Sequence, residues 1–299
     1  MNTHLINSIG ALIAAFVLMG FTPGTNGTSD LSSDQNRDQN RDQDQAPAPA
    51  SFTPPLTLMF HDIVTADLPD EARATSDTTL EEFKMELDYL AAHGYQTISA
   101  QDVLAAKRGQ KILDPKSVLL TFDDGYVGNF DFAYPLLSAR GMKATFFVHT
   151  NWIGEHLRPK KHMTFPQLRE LARNANFEVY AHTESHLDLT SIESSTQLQK
   201  EICHSRDVME LELGGDRNIF AYPYGKFARK NNGSYDLSVL KMTQSCFDLA
   251  FAIDLPPDLD EQTKNSGLVM PRLAMVTTIT DADIFERRIK RFQSAYQSH

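Results

Sequence analysis

The stretch SVLLTFDDGYVGNF, Ser117–Phe130, sets an apolar β-branched run against two adjacent carboxylates, Asp123 and Asp124, with Gly125 directly behind them. Val118, Leu119, Leu120 and Phe122 show no polar alternation, so they read as a strand buried on both faces, the kind found in parallel sheets. Adjacent side chains leave a strand in opposite directions, but a glycine turn at its end can bring both acids into one cleft. Two carboxylates so close repel unless something positive lies beside them. An Asp-Gly turn with solvated acids is the plainer alternative. Strand C-termini are also where α/β folds place their chemistry.

Outward from this stretch, short strands alternate with amphipathic helices. LTLMF (Leu56–Phe60) reads as a strand, and Thr79 to His93 as a helix with Leu80, Phe83, Leu87 and Leu90 on one face, ended by Gly94. SVLLTF, KATFFV, FEVYA, NIFAY, DLAFAI and LVMPRLAM are further strands; FDFAYPLLSARG, FPQLRELARN and a long segment from about Ser194 to Leu213 are helices. Such alternation predicts an α/β fold with a parallel sheet. About seven units in roughly 240 residues favour a distorted or incomplete (β/α) barrel, seven-stranded, over an open sheet. Every motif considered below follows a strand, so in a barrel all of them share one rim.

The chain has 299 residues with 41% hydrophobic content, enough for a large globular module. Its formal net charge of -11 disfavours nonspecific nucleic-acid binding, which needs a basic surface. Two cysteines, Cys203 and Cys246, are too few for a disulfide framework and lack metal-binding spacing; pairing and two buried thiols both stay open. Leu5 to Phe21 is an apolar run of signal-peptide or membrane-anchor length, without a basic n-region or clear cleavage site. The polar NRDQ near-repeat and Pro-Ala tail after it have the composition of a disordered linker. The expected organisation is 1–22 signal peptide or anchor, 23–51 linker, and 52–299 one catalytic module, exported and then periplasmic, secreted or held at the outer face of the inner membrane. Membrane contact is expected only through that N-terminal segment, and a monomer is the default.

After FEVYA, the sequence AHTESHLDLT places His182 and His186 four apart, a spacing that on a helical turn lets both imidazoles reach one ion. A chance surface pair is the alternative. Two imidazoles and a carboxylate with an open position form a recognised catalytic metal environment, which would bind one aspartate of the acid pair and leave the other free.

TFDDG (Thr121–Gly125), HTESH (His182–His186) and AYPYG (Ala221–Gly225) together resemble the polysaccharide deacetylases of the NodB-homology family. KATFFV before TNWIG, HMTFPQL before the histidine motif and HLDLT after it agree. The likeness covers roughly Leu56 to Met275. LTLMFHDI and the late PRLAM look more like the branch acting on poly-β-1,6-N-acetylglucosamine of biofilm matrix than like chitin or peptidoglycan deacetylases. The resemblance implies Asp123 as general base and Asp124, His182 and His186 as ligands of a divalent metal, zinc by default, with cobalt or nickel as alternatives. It implies the backbone N–H of Tyr224 as an oxyanion donor, with Pro223 fixing the turn. It also implies an N-acetylglucosamine polysaccharide as partner, and leaves export machinery for that polymer as a further one.

Two features depart from the family pattern. Ala221 and Tyr222 stand where many relatives carry an arginine before the proline, and the late Leu-x-x-His is missing. In place of the first, which orients the base in those relatives, Arg272 could approach the same acid from a neighbouring strand, with a surface or structural salt bridge as its alternative; it also stands among substrate-binding candidates with Tyr126, Trp152 and Pro223. For the second, the resemblance points to His61 as general acid, with Asp62 orienting it or capping a turn. His149, His156 and His162 receive no role beyond loop or rim, and Phe165 is a further aromatic for a sugar face. Rival readings are a peptidoglycan or chitin-oligomer deacetylase and a noncatalytic polysaccharide-binding relative.

Overall fold

Leu56–Phe60 and Ser117–Phe122 pair in parallel along their whole length, Leu56 opposite Val118 and Phe60 opposite Phe122, and every residue of both strands is buried. In the computed structural model, which describes residues 52–68, 73–155, 160–231, 234–277 and 279–297, this pair lies at the heart of one parallel sheet. The segments expected as leader and linker, together with His156 and His299, lie outside the described residues.

Across the sheet the order is Leu249–Phe251, Ile219–Ala221, Phe177–Ala181, Ala144–Val148, Ser117–Phe122, Leu56–Phe60 and Leu273–Ala274. An eighth strand, Gln96–Ile98, pairs with the first half of Ser117–Phe122, while Ala144–Val148 takes its end. Seven strands thus form a curled parallel sheet, the distorted barrel expected from the alternation. The curl is closed by one segment. Met270 exchanges backbone hydrogen bonds with Ala250 and Ala252, the Arg272 N–H donates to the Ile253 carbonyl, and Leu273 and Ala274 then pair with Leu58 and Met59. LVMPRLAM is therefore less a strand than a bridge between the last strand and the first.

Alternation along the strands separates two apolar clusters. Val118, Leu120 and Phe122 face the outer helices, which include Leu80–Ala92, Phe165–Arg173, Ser205–Leu213 and Ala282–Tyr296. Leu119, Phe147, Tyr180, Ala221 and Phe251 face the other way, with the helix Ala100–Lys107 packed among them. The first helix starts where its sequence says: Thr79 accepts from the Glu82 N–H while Glu82 accepts from the Thr79 N–H, a closed capping box. The long helical stretch from Ser195 to Leu213 is continuous but contains a π turn, Lys200–His204. Cys203 and Cys246 form a disulfide with their Cα atoms 5.5 Å apart. Among the described residues no helix is long and apolar enough to cross a membrane.

The outer face of the central strands is an aromatic ladder. Phe122 stacks on Phe60 at 5.1 Å and on Phe146 at 4.9 Å, with Phe83 edge-on at 5.8 Å, and Phe122 has no exposed surface. Because Asp123 follows Phe122 directly, this ladder holds the strand end that carries the acids. Phe122→Ala is expected to cost about 3–5 kcal/mol of unfolding free energy, as for other buried rings. Guanidinium unfolding measures it, and a loss below about 1 kcal/mol would show that the ladder is not what fixes this strand.

Candidate active site

The pairing that builds the sheet also sets its rim. The Asp123 N–H donates to the Phe60 carbonyl, the His182 N–H to that of Val148, and the Tyr222 N–H to that of Phe251, so His61, Asp123, His149, His182 and Tyr222 each begin where a strand stops. Asp123 continues the strand alternation onto the face of Thr121. Asp124 then turns away at φ 71°. Gly125 completes the turn: its φ is +78°, and a Cβ there would lie 2.8 Å from Val148 Cγ1.

The two acids occupy different surroundings. Asp123 is 2% exposed and meets Arg272 in a bidentate pair, Nη1 to Oδ1 at 2.7 Å and Nη2 to Oδ2 at 2.8 Å. Arg272 is 1% exposed, and its Nε donates to the Ala252 carbonyl. Burial pushes the Asp123 carboxyl up, but the Arg272 guanidinium beside it holds it below the ordinary value. Arg272 thus reaches the acid that the missing arginine would have met, as one reading of the sequence expected; with its fork on Asp123 inside the barrel it forms no surface bridge and is not turned towards a substrate, which corrects the substrate-binding expectation.

Asp124 is buried, and its Oδ1 has no hydrogen-bond partner. Three imidazole nitrogens face that oxygen, His186 Nε2 at 3.3 Å, His182 Nε2 at 3.6 Å and His149 Nε2 at 3.6 Å. Ligand atoms of Asp124, His182 and His186 all lie within 4.8 Å of one another. His182 Nδ1 sits 2.8 Å from the Ala221 carbonyl and donates to it, which leaves the Nε2 lone pair for the site. Burial drops the His182 pKa to about 3 and lowers that of His186, so both imidazoles are neutral at pH 7, the form that binds metal. Neutral nitrogens, an ionised carboxylate and an orphaned buried oxygen suit a divalent cation.

The two histidines do not share a helical turn, as their spacing suggested. His182–His186 is an irregular loop in which Thr183 and His186 have φ of 73° and 60°. Among the described residues, the non-glycine positions at positive φ are Asp124, Thr183, His186 and Tyr224, all within the three motifs.

His61 is half-buried at the end of the first strand, its Nδ1 without a partner, and close enough for its charge to act on both Asp123 and Asp124. Asp62 is not its orienter but faces Lys160, 3.5 Å away, while Lys160 also pairs with the buried Asp77. Burial raises the Asp62 pKa to about 7 against the pull of Lys160. Tyr224 stands at φ 58° on the rim, 56% exposed, its ring 4.7 Å from that of His186. Pro223 is buried, so it shapes the turn and is no surface contact. Gly225 beside it has φ +67°, and a Cβ would meet Ile253 at 2.5 Å.

Tyr126 is covered by Lys160 at 4.6 Å and by His162 at 4.9 Å, which makes it wall rather than open platform. Trp152 packs edge-on against His149 at 4.2 Å and approaches His186 at 6.3 Å. Phe165 packs on the core beneath Arg169. His149 and His162, given no role from sequence, are 1% and 4% exposed and close the site from beneath; burial takes the His162 pKa down to about 4. The signal for His149 was its place directly after a buried strand.

Residues 110–240 match the sequence model of the Polysaccharide deacetylase family. YxkH of Bacillus subtilis, named as a candidate polysaccharide deacetylase, is 34% identical over 146 residues, 49% of this chain and 50% of that one. The poly-β-1,6-N-acetyl-D-glucosamine N-deacetylase of Escherichia coli K12 is 33% identical over 106 residues, 32% of this chain and 16% of that one. This chain therefore spans about half of the first relative and less of the second. Among solved structures, the Streptococcus pyogenes deacetylase PplD in complex with acetate superposes with a TM-score of 0.65 at 23% identity, over 79% of this chain and 99% of that one. IcaB from Ammonifex degensii gives 0.62 at 20%, over 76% and 94%; both likenesses show the fold. The three motifs stand on one rim and all lie inside the matched stretch, so residues 110–240 match the polysaccharide deacetylase family of hydrolases, to whose members the chain is similar.

Proposed function

We propose that this chain is an exported, metal-dependent N-deacetylase of a β-linked N-acetylglucosamine polysaccharide, first of all poly-β-1,6-N-acetylglucosamine, and that it releases acetate. The observation that carries the reading is the convergence of Asp124, His182 and His186 beside a second, separately compensated carboxylate. The choice of polymer follows the substrate named for the Escherichia coli relative and the LTLMFHDI and PRLAM segments. Export follows the apolar run at Leu5 to Phe21 and suits the paired cysteines, since disulfides persist in oxidising compartments. In this reading residues 52–299 are the catalytic module, monomeric, working beside machinery that exports the polymer.

Asp124, His182 and His186 hold a divalent cation, zinc before cobalt or nickel. Such an ion supplies Lewis acidity, acidifying water and polarising the acetamide carbonyl. Asp123, ionised because Arg272 holds its pKa down, accepts the proton from the attacking water. The Tyr224 backbone N–H meets the charge that develops on the carbonyl oxygen, a donor already oriented before the reaction. His61 delivers a proton to the amine nitrogen as the carbon–nitrogen bond breaks, giving acetate and a free glucosamine unit. Trp152 and the exposed Tyr224 ring border the sugar.

The test is acetate release by the full chain from poly-β-1,6-N-acetylglucosamine, chitin and peptidoglycan oligomers, after metal stripping and after restoring zinc, cobalt or nickel. Metal-dependent release from the first polymer above the others supports the reading; release mainly from the others moves the substrate. Silence on all three with metal bound leaves a polysaccharide-binding protein. Asp123→Asn is expected to lower turnover roughly 10²- to 10⁴-fold with metal still bound. Wild-type turnover in that variant would remove Asp123 as base.

Arg272→Met strands a buried carboxylate, and breaking such a pair costs about 3–5 kcal/mol at pH 7. The sign with pH follows from Asp123. In the wild type its depressed pKa adds stability above the ordinary carboxylate range, lost as pH falls through the lower folded value. Without Arg272 burial alone raises that pKa, so the variant recovers stability on acidification. Denaturant unfolding of metal-free proteins should show the gap between the two narrowing as pH falls, first from the variant's raised folded value down to about pH 4, then further as the wild type passes through its depressed one. A gap independent of pH would mean that the pair is not what Arg272 provides.

A further inference from the structure

The loop that carries both histidines has no regular structure to hold it, and its strained residues, Thr183 and His186, persist only if their surroundings over-determine them. Between the two imidazoles stand Thr183, Glu184 and Ser185, and the last two dock on one turn of the long helix. The Ser185 N–H donates to Glu201 Oε2 at 2.9 Å and the Ser185 hydroxyl to Glu201 Oε1 at 2.5 Å. The Glu184 N–H donates to the Glu201 carbonyl at 3.1 Å. Lys200 Nζ lies 3.5 Å from Glu184 Oε1, and His204 Nδ1 lies 3.9 Å from Glu184 Oε2.

That turn, Lys200–His204, is π-helical. A π turn shifts the ladder from i→i+4 to i→i+5 and so breaks the regular α register at this point of the helix. Glu201 offers its carbonyl to the loop, and the Ile202 carbonyl takes the Ser205 hydroxyl at 2.7 Å. The turn is pinned from its other side by the Cys203–Cys246 disulfide. Glu201 is 5% exposed, so its carboxylate is dedicated to Ser185 rather than to water.

We infer that Glu201 is a positioning residue of the metal centre, acting through Ser185 to fix the separation and aim of His182 and His186. The inference rests on the metal-dependent reading above. The irregular turn is then a functional part of the helix. It presents a buried carboxylate and a carbonyl side by side to the loop between the two histidines.

Removing an outer partner of metal ligands costs roughly 10- to 100-fold in metal affinity. With the full chain stripped of metal, competition against a chromophoric chelator gives the zinc dissociation constant, and the visible spectrum of the cobalt form reports ligand geometry. Glu201→Ala is expected to weaken zinc by that factor and change the cobalt bands, while Glu201→Gln, which keeps an acceptor for the Ser185 N–H, recovers part of the loss. Thermal melts of the metal-free forms check folding. Should Glu201→Ala not fold, Ser185→Ala, lacking only the hydroxyl bond, is expected to shift affinity in the same direction by less. Wild-type affinity and cobalt spectrum in both Glu201→Gln and Ser185→Ala overturn the positioning role while leaving the metal reading intact. No zinc uptake by the wild type overturns the metal reading itself, and Glu201 with it.

Discussion

A charged carboxylate buried inside a barrel is the constraint on which the rest of this structure depends. Taking Asp123 out of water carries an effective penalty of several kcal/mol, which its partner offsets only with near-ideal geometry. Arg272 provides that geometry through two parallel hydrogen bonds, and is itself fixed by the Ala252 carbonyl. It can reach Asp123 because the segment around Met270 and Leu273 bridges the last strand and the first. The closure of the sheet and the ionisation of one residue therefore depend on each other: an open sheet would leave Asp123 unpaired, and an uncharged Asp123 would leave Arg272 buried without a counter-charge.

Around this pair the rim is built from strand ends and strain. Parallel register delivers His61, Asp123, His149 and His182 to one level, but register alone aims alternate residues to opposite faces. Positive φ at Asp124, Thr183, His186 and Tyr224 turns these residues where a plain strand or helix would not send them. Such conformations cost of order 1–3 kcal/mol each, and the stability to carry them comes from the aromatic ladder and the docked loops. The site is thus paid for by the core beneath it.

Much of this was legible in the residues. The unbroken apolar run Val118 to Phe122 marked a doubly buried strand, and the alternation of strands and helices marked the barrel, because both patterns are local. Asp123, Asp124, His182 and His186 were legible as a group since each follows a strand. What escaped was nonlocal. Arg272 could be named as a cation able to approach that acid, but it follows a proline in a segment that crosses between strands, and only the closed curl chooses the buried pair over a surface bridge. His149 looked like a loop residue because nothing in KATFFVHTN announces that Trp152 and His162 will cover it. Glu201 sits in a helix whose apolar spacing hides the extra residue of a π turn, and no pattern at 3.6-residue spacing reveals a carboxylate aimed at a loop some sixteen positions earlier.

The two adjacent aspartates finally differ in what balances their charge. Asp123 meets a permanent cation, so that pair is neutral as a unit. Asp124 is also ionised, its carboxyl held well below the usual range against the burial that would raise it, yet the imidazoles of His182 and His186 facing it are themselves driven neutral by burial. Neutral nitrogens can solvate a carboxylate but cannot cancel its charge, and their lone pairs repel its oxygen unless a proton or a cation lies between. A proton would have to settle on groups whose environment rejects it. A divalent cation would satisfy the carboxylate and the lone pairs together, which is how the metal-dependent reading lets one strand end carry two acids.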